Sequence, residues 1–280
     1  MRIGAVLLFV LVGLGALRAP AAAQDKPVVA VVGTGNLAGS LGPALGRAGY
    51  AVVYGSRTPA RDSLRALVAR SGPKASAATN PQAVARAQIV VLAVPAEVVE
   101  QVSDGLALDG KIVLDVSGGR KRVAADGYLE LVSDTAHAER IQARHPSARV
   151  VRISLPSIAF LANPQLVGTP PSVLVAGNSP SAREAIARVL FDLGLDPHDA
   201  GPLRFARVID ALSLVGQIPG QQRRAELYDL KMLPSTPWSC FFDAVAAFGY
   251  GRPYDLDSLP RFPRRDPVTS CDEWRRRVRF

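Results

Sequence analysis

Apolar and polar positions alternate in short blocks along this chain from Lys26 onward. Apolar runs of strand length are followed by longer stretches with apolar residues every three or four positions, as on one face of a helix. This alternation is typical of βαβ units and predicts a doubly wound, mostly parallel α/β sheet. The predicted strands are Val28–Val32, Ala51–Tyr54, Ile89–Val94, Ile112–Val116, Val150–Ile153 and Val173–Ala176. The predicted helices include Leu37–Ala48, Ala60–Arg70, Ala96–Leu106, Tyr128–Arg144 and Ser181–Leu193.

Several helix boundaries are marked in the sequence. Gly49 ends the first helix, Asn80-Pro81 opens a short one before Ile89, and Ser179-Pro180 caps the helix that leads to Gly194. After about Gly216 the periodicity gives way to a segment rich in Pro, Arg and aromatic residues. We therefore divide the chain into residues 1–23, a domain at 24–215 and a C-terminal extension at 216–280.

The first 23 residues have the layout of a secretory signal peptide. Arg2 precedes an uncharged stretch from Ile3 to Leu17, and Ala21-Ala22-Ala23 supplies small residues for cleavage after Ala23. This layout predicts an exported, periplasmic protein. The alternative is an uncleaved anchor that holds a cytoplasmic domain at the membrane, and the flanking charges leave its orientation open.

Composition and charge exclude several classes of protein. With 280 residues, 48% hydrophobic and 20% charged, the chain is too apolar for a disordered protein. The net charge of +9 comes mostly from Arg, but the basic residues are scattered from Arg47 to Arg279 rather than interleaved with aromatic residues on one segment, so no nucleic-acid partner is predicted. Two cysteines in the extension, Cys240 and Cys271, are predicted to form a disulfide in an oxidising compartment, the alternative being two free thiols.

The three histidines do not suggest a metal site. They lie far apart in the sequence, and no cysteine or carboxylate accompanies them at the spacing of metal ligands. We therefore expect His137, His145 and His198 to be solvated and the chain to hold no metal.

Candidate chemistry begins where the first strand meets the first helix. Gly33 permits a tight turn, Gly35 lets the backbone approach a pyrophosphate, and Ala38, with Gly39, lets the helix pack closely on the strand. This G-x-G-x-x-A pattern lies between a strand and a helix and is followed by a second strand, which is the context of a Rossmann dinucleotide-binding fold. The free N–H groups of the turn would then face the phosphates. The predicted contacts are Gly33, Thr34, Gly35, Asn36, Leu37 and Ala38.

The residues after the second strand indicate which dinucleotide binds. An NAD site usually has Asp or Glu at this place, whereas this chain has Ser56 and Arg57. A guanidinium group matches the 2′-phosphate of NADP, and the Ser56 hydroxyl adds a hydrogen-bond donor. NADP is therefore predicted over NAD. The alternative is that Arg57 is an ordinary solvated Arg.

At these residues the sequence resembles a known family. GTGNLAGSLGPALGRAGYAVVYGSR, IVVLAVPAEVVEQV and KIVLDVSGG resemble the NADPH-dependent F420 oxidoreductases and, more closely, the NADPH-binding domains of the STEAP metalloreductases. SVLVAGNSPSAREAIARVLFDLGLDPHDAGPL is similar to a later strand, helix and strand of the same domain. The resemblance extends from about Lys26 to Leu212.

This resemblance implies hydride transfer between NADPH and a flavin-type acceptor, coenzyme F420 or FAD, which in the metalloreductases feeds metal-ion reduction through a membrane haem. It places Ala93, Val94 and Pro95 beside the nicotinamide ribose and Asp115-Val116-Ser117 near the reacting rings. It names no catalytic side chain, because the cofactors carry the reaction. The alternative for Ala93 to Pro95 is that they only end a buried strand.

The chain also departs from this family. Leu155 and Pro156 stand where the metalloreductases carry an Asn-containing segment, and no stretch of Val215–Phe280 has the apolar length of a membrane span. An electron relay would thus need a separate membrane redox partner. The sequence leaves the oligomeric state open. One alternative function is an exported or membrane-anchored NADP-binding module without turnover. A third is an imine or β-hydroxyacid reductase, whose catalytic groups lie on a long helical C-terminal domain.

Overall fold

The computed structural model of the chain describes residues 26–156, 158–163, 169–215, 231–232, 262–263 and 271. Eight strands form one sheet in the order β10-β9-β8-β5-β4-β1-β2-β3, and β6 and β7 form a separate hairpin. The strands are β1 (Val29–Val32), β2 (Val52–Gly55), β3 (Ala75–Ala78), β4 (Ile89–Leu92), β5 (Ile112–Asp115), β6 (Lys121–Val123), β7 (Leu129–Leu131), β8 (Arg149–Ile153), β9 (Ser172–Gly177) and β10 (Asp196–Gly201).

All neighbouring strands of the sheet are parallel except one pair. Val29 of β1 lies opposite Val52 of β2 and Ile89 of β4, so β1 is central, while β8 and β9 are antiparallel. The chain builds outward from β1 to β3 and then returns to β4 on the other side of β1. The strand order therefore reverses between β1 and β4, where doubly wound sheets bind ligands at the carboxyl ends of their strands. This topology agrees with the predicted Rossmann-like α/β fold.

Eight helices connect the strands among the described residues. The marked boundaries are confirmed: Gly49, after the first helix, has φ +87°, and the Ser179 hydroxyl accepts a hydrogen bond from the Ala182 amide. A 3₁₀ turn at Leu203–Phe205 precedes the last helix. The helices are α1 (Asn36–Arg47), α2 (Asp62–Arg70), α3 (Asn80–Arg86), α4 (Val99–Asp104), α5 (His137–Arg144), α6 (Ile158–Ala162), α7 (Pro180–Asp192) and α8 (Ala206–Val215).

The hydrophobic core lies on both faces of the sheet. Alternate residues of a strand point to opposite faces, so Val29 and Val31 pack in one layer while Ala30 and Val32 pack in the other. All four are at most 1% exposed. Burial on both faces explains why the central strands read as continuous apolar runs rather than as alternating ones.

The prediction of a helix over Tyr128–Arg144 is wrong in its first part. Residues Lys121–Val123 and Leu129–Leu131 pair as an antiparallel hairpin, and helix α5 begins only at His137. The hairpin turn is local: Gly127 has φ +83°, and the Asp126 carboxylate accepts a hydrogen bond from the Tyr128 amide. This Asp126–Tyr128 turn, with left-handed Gly127 at its centre, joins β6 to β7, so the residues after Tyr128 continue as a strand rather than start a helix.

Several predictions concern segments outside the described residues. These are the signal peptide at residues 1–23 and most of the extension at 216–280. Cys271 is disulfide-bonded, whereas Cys240 lies outside the described residues, so their pairing stays a prediction. No helix in the described part of the chain is long and apolar enough to cross a membrane.

Candidate functional site

The turn between β1 and α1 lies against the ends of both neighbouring strands. Gly33 has φ +117°, and a Cβ there would lie only 2.2 Å from the carbonyl oxygen of Ala93, the residue after β4. On the other side, the Gly33 N–H donates to the Gly55 carbonyl oxygen at the end of β2 (3.3 Å). Glycine is thus required both by the left-handed conformation and by the close approach of β4.

The N-terminus of α1 is open and uncapped. Gly35 is the N-cap residue, no side chain caps the helix among the described residues, and its first turn holds no acidic residue. The first hydrogen bond inside the helix runs from the Gly39 N–H to the Gly35 carbonyl oxygen (2.8 Å), which leaves the preceding N–H groups available. A Cβ at Gly35 or Gly39 would meet nothing within 4 Å. Free N–H donors, a positive helix end and open space fit the phosphates of a dinucleotide.

The close packing predicted for α1 is present, although glycines later in the helix contribute to it. Ala38 is fully buried, as expected, but the prediction that Gly39 contributes to this packing is wrong, because a Cβ there would meet nothing within 4 Å. A Cβ at Gly42 would lie 1.6 Å from the Tyr54 hydroxyl, and one at Gly46 would lie 1.9 Å from the Ser71 carbonyl oxygen. No role was predicted for these two glycines, although they follow Gly35 and Gly39 along the same helix.

The two residues after β2 are placed differently from each other. Ser56 is buried, and its hydroxyl accepts a hydrogen bond from the Thr58 N–H (3.1 Å), which forms a tight turn. Arg57 is exposed and makes no hydrogen bond or ion pair with the residues that the structure describes. Its guanidinium group is therefore available for a ligand, while Ser56 shapes the turn that presents it.

A second cation, which was not predicted from the sequence, contacts the glycine turn. Arg61 is the N-cap residue of α2, and its guanidinium group donates to the Thr34 hydroxyl. Arg61 and Arg70 line a cleft of about 560 Å³ between α1 and α2, together with Thr34, Gly35 and Asn36. Arg65, by contrast, pairs with Asp62 outside the cleft. Only the fold brings residue 61 to the turn, so no local pattern in the sequence marks it.

The other half of the crevice begins after β4. Ala93 is buried and extends the pairing with β1 through its N–H, which donates to the Val32 carbonyl oxygen (2.9 Å). Val94 is half-buried beside Gly33, and Pro95 is exposed. These three residues therefore end a buried strand and also border the glycine turn.

Ser117 follows β5, the next strand along the sheet. Its N–H and its hydroxyl both donate to one carboxylate oxygen of Asp115, at 2.9 and 2.7 Å. Asp115 is 1% exposed, so its carboxylate orders this loop rather than facing solvent. Ser117 stands one strand away from Ala93, at the same edge of the sheet.

A buried ion pair supports this loop and was not expected from the sequence. Arg152 of β8 donates from Nε and Nη2 to one carboxylate oxygen of Asp210 on α8, at 3.0 and 2.8 Å. Burial raises the pKa of Asp210, and the neighbouring Arg152 opposes that rise. Burial likewise lowers the pKa of Lys121, and the nearby Asp210 opposes this change. The available signal was an Arg in the middle of an apolar strand, since such a charge needs a partner.

The segment that departs from the resembled family is also placed at this edge. Leu155 and Pro156 follow β8, with Leu155 exposed and Pro156 buried. Both border a small apolar cavity whose walls include Val116 and Leu161. This segment therefore presents apolar groups rather than an amide.

The expectation that all three histidines are solvated is wrong for His145, whose side chain is 14% exposed with its Nε2 atom buried, and for His137. The His137 side chain is only 3% exposed, and its Nδ1 lies 2.6 Å from Glu100. Arg140 and Arg144 contact the same carboxylate, at 2.6 and 2.9 Å. His198, near Asp196 on β10, is partly exposed. His137 thus belongs to a structural contact between α4 and α5.

The sequence and the fold are similar to known NADP oxidoreductases. Residues 28–119 match the family model described as NADP oxidoreductase, coenzyme F420-dependent. Metalloreductase STEAP3 of Rattus norvegicus is 28% identical over 197 residues, which cover 68% of this chain and 37% of the metalloreductase. The chain thus spans little more than a third of the length of that relative.

Solved structures share the architecture. A provisionally assigned F420-dependent NADP reductase from an Arthrobacter species superposes with a TM-score of 0.64 at 25% identity, over 74% of this chain and 100% of that one. A hypothetical protein from Sinorhizobium meliloti reaches 0.57 at 24% identity, over 76% and 98%. A reductive aminase from Aspergillus terreus, solved with NADPH4, reaches 0.52 at 18% identity, over 80% and 66%, and shares the fold alone.

The family match covers the glycine turn, the end of β2, the strand before Ala93 and the loop after β5. The resemblance predicted from the sequence is therefore confirmed. This part of the chain, residues 28–119, is similar to the coenzyme F420-dependent NADP oxidoreductases.

Proposed function

We propose that this protein binds NADPH across the carboxyl ends of β1 and β4 and transfers its hydride to a flavin-type acceptor. The observation that carries this proposal is the open N-terminus of α1 beside a cleft lined by Arg61. Together they offer N–H donors, a helix dipole and a permanent cation at one place, which suits a phosphorylated dinucleotide.

The phosphate end of the nucleotide would be held by the turn and by the Arg residues. Gly33 to Ala38 would hold the pyrophosphate through backbone N–H groups. Arg57 and Arg61 would bind the 2′-phosphate, with Arg57 presented by the turn at Ser56. No acidic residue among the described residues of this turn or of the first turn of α1 would repel that phosphate.

The nicotinamide end would lie over the residues that follow β4 and β5. Ala93, Val94 and Pro95 would border the ribose and exclude water from one side, and Ser117 would contact the cofactor from the neighbouring loop. When bound, NADPH supplies a hydride ion, which is a proton with two electrons, and is left as NADP⁺. The acceptor takes up the hydride together with a proton from solvent. The protein aligns the two rings and need not add acid–base chemistry of its own.

Coenzyme F420 and FAD are the proposed acceptors. The family description names F420, and the rat relative is a metalloreductase. We propose metal-ion reduction as a later step that would need a separate membrane redox partner. The acceptor would approach from the side of Ser117, where Leu155 offers an exposed apolar side chain.

We also propose that the protein acts outside the cytoplasm, as residues 1–23 suggest. Fractionation of the producing cells tests this location. Recovery of the mature protein from the periplasmic fraction with residues 1–23 removed is expected, whereas an intact chain in the membrane fraction would favour the anchored alternative.

Calorimetric titration of purified residues 24–280 with NADPH, and in parallel with NADH, tests the nucleotide site. Micromolar affinity for NADPH and much weaker affinity for NADH are expected. An absence of binding to either nucleotide would overturn the proposal.

Turnover separates an enzyme from a binding module. Oxidation of NADPH followed at 340 nm with F420 or FAD present should be faster than in the absence of acceptor. Tight NADPH binding without oxidation by either acceptor would favour the alternative of an NADP-binding module without turnover.

A further inference from the structure

The loop from Asp115 to Gly119 is held from beneath by two buried charged side chains. Arg152 donates from Nη1 to the Asp115 carbonyl oxygen (3.1 Å) and from Nε and Nη2 to Asp210. The Arg152 and Asp210 side chains are only 3% and 5% exposed. The ion pair therefore links β8 and α8 directly below the first residue of the loop.

The other end of the loop rests on the same ion pair. A Cβ on Gly119 would lie 3.1 Å from the Cβ and Cγ of Asp210 and 2.9 Å from Leu131 of the hairpin. Between the two ends, Gly118 has φ +82°, and Ser117 donates twice to the Asp115 carboxylate. The loop thus has two supported ends and an internally bonded centre.

Hydrophobic packing alone does not explain the choice of charged residues at this place. Burying two charges costs desolvation energy that apolar residues of similar volume avoid. The charged pair adds a fixed orientation. The planar guanidinium group of Arg152 sets the angle between its hydrogen bonds to the Asp115 carbonyl oxygen and to the Asp210 carboxylate. Lys121, His137 and the Asp115 carboxylate are the other titratable groups that face Asp210.

We propose that Arg152 and Asp210 are positioning residues that hold Ser117 and Gly118 against the nicotinamide end of the bound nucleotide. The proposal rests on the proposed function, because it assumes that NADPH lies over this loop. Neither residue touches the nucleotide. Arg152 acts through the Asp115 backbone, and Asp210 acts through its contact with Gly119.

Two ligands that differ at the nicotinamide end test the proposal. NADPH contains both ends of the dinucleotide, whereas adenosine 2′,5′-bisphosphate contains the 2′-phosphate end and lacks nicotinamide. Calorimetry of wild type, Asp210→Asn and Gly119→Ala with both ligands gives the affinity ratio for each protein. Gly119→Ala moves the loop without changing any charge, so it remains informative if Asp210→Asn fails to fold. Arg207→Gln is the matched control, because it breaks an exposed ion pair of the same helix with Glu139.

In Asp210→Asn and Gly119→Ala, we expect the preference for NADPH over the bisphosphate to fall about tenfold, the effect of losing about 1.4 kcal/mol of contacts. Arg207→Gln should keep the wild-type ratio. A general loss of stability lowers both affinities together, so an unchanged ratio in folded Gly119→Ala would overturn the positioning role. Wild type could bind the bisphosphate and yet bind NADPH no more tightly. The nicotinamide end would then make no contact with this loop, and this proposal would fail while the proposed function stands. If wild type binds neither ligand, the proposed function fails and this proposal fails with it.

Discussion

At the scale of single residues, the site depends on glycines, which have no side chain, as much as on charged side chains. Gly33 and Gly35 bring the backbone to the surface of the crevice, Arg61 contacts the turn through Thr34, and Arg57 follows the neighbouring strand β2. Backbone N–H groups bind any phosphate, whereas in the proposed site the guanidinium groups would distinguish NADP from NAD. Affinity for the dinucleotide and selectivity for the 2′-phosphate should therefore be separable by mutation.

Arg57→Ala should weaken NADPH binding by about 1.5 to 3 kcal/mol, the range for a hydrogen bond to a charged group, and leave NADH binding nearly unchanged. Parallel calorimetric titrations with the two nucleotides measure this difference. Arg65→Ala is the control, because Arg65 is exposed and pairs with Asp62. Equal losses for NADPH and NADH in Arg57→Ala would contradict the assigned selectivity.

Gly33→Ala should both destabilise the fold and abolish nucleotide binding. An L residue at φ +117° costs about 1 to 3 kcal/mol, and its Cβ would in addition overlap the Ala93 carbonyl oxygen at 2.2 Å. Gly49→Ala separates these effects, because Gly49 has φ +87° but nothing within 4 Å of a Cβ. We expect differential scanning calorimetry to show a clearly larger fall in melting temperature for Gly33→Ala. Similar falls in the two variants would mean that the close approach of β4 adds nothing.

The sequence alone predicted the glycine turn and the residues after β2, because their roles depend on position within one βαβ unit. Arg61 was missed, since its contact with Thr34 requires α2 to fold back over α1. The pairing of Arg152 with Asp210 was also missed, because the partners are 58 residues apart. Contacts within one βαβ unit can be predicted from the sequence, whereas contacts between units depend on how the helices and strands pack in the folded sheet.

At the scale of whole elements, the predictable strands are those buried in the sheet. Strands β1, β4 and β5 form apolar runs because helices cover both of their faces. The two missed strands of this sheet, β3 and β10, are its edges, and their sequences ASAA and DPHDAG contain no such run. An edge strand buries less side-chain area, so its hydrogen bonds to a neighbour, rather than its own pattern, define it.

The contact between α4 and α5 should make the stability of the fold depend on acid pH. Burial tends to raise the pKa of Glu100, but hydrogen bonds from Arg140 and His137 outweigh it and hold this pKa below the usual range. A carboxylate with a lowered folded-state pKa stabilises the fold above its unfolded pKa, about 4.3, and this contribution is lost as the pH falls through the folded value. Glu100→Gln should therefore be less stable than wild type at pH 7, by about 1 to 3 kcal/mol, with a smaller loss of stability on acidification.

Urea denaturation of both proteins between pH 3 and pH 7 measures this dependence. Glu130→Gln is the control, because Glu130 pairs with Arg122 at an exposed site where an ion pair contributes about 0 to 1 kcal/mol. If Glu100→Gln and wild type lose stability in parallel as the pH falls, Glu100 does not carry the acid sensitivity.

At the scale of the whole molecule, one sheet joins the family-matched third of the chain to β8, which runs in the same direction, and to β9 and β10, which run the other way. Residues 28–119 supply β1 to β5 and the glycine turn. β8 and α8 then supply Arg152 and Asp210 beneath the loop after β5. The matched segment thus contains both ends of the proposed site, while β8 and α8 support the loop at its nicotinamide end.

The cysteines connect the proposed export of the protein to its covalent structure. Disulfides persist in oxidising compartments, and a bond that closes a loop of about 30 residues would stabilise the fold by about 3 to 4 kcal/mol in the entropic model. We expect thiol titration of the denatured, unreduced mature protein to find no free sulfhydryl, and reduction to expose two and to lower the melting temperature. Protein purified from the periplasm and the same chain without residues 1–23 purified from a reducing cytoplasm provide the matched pair. Two free thiols in the periplasmic protein would contradict the predicted pairing of Cys240 with Cys271, and with it one of the two sequence features that favour export.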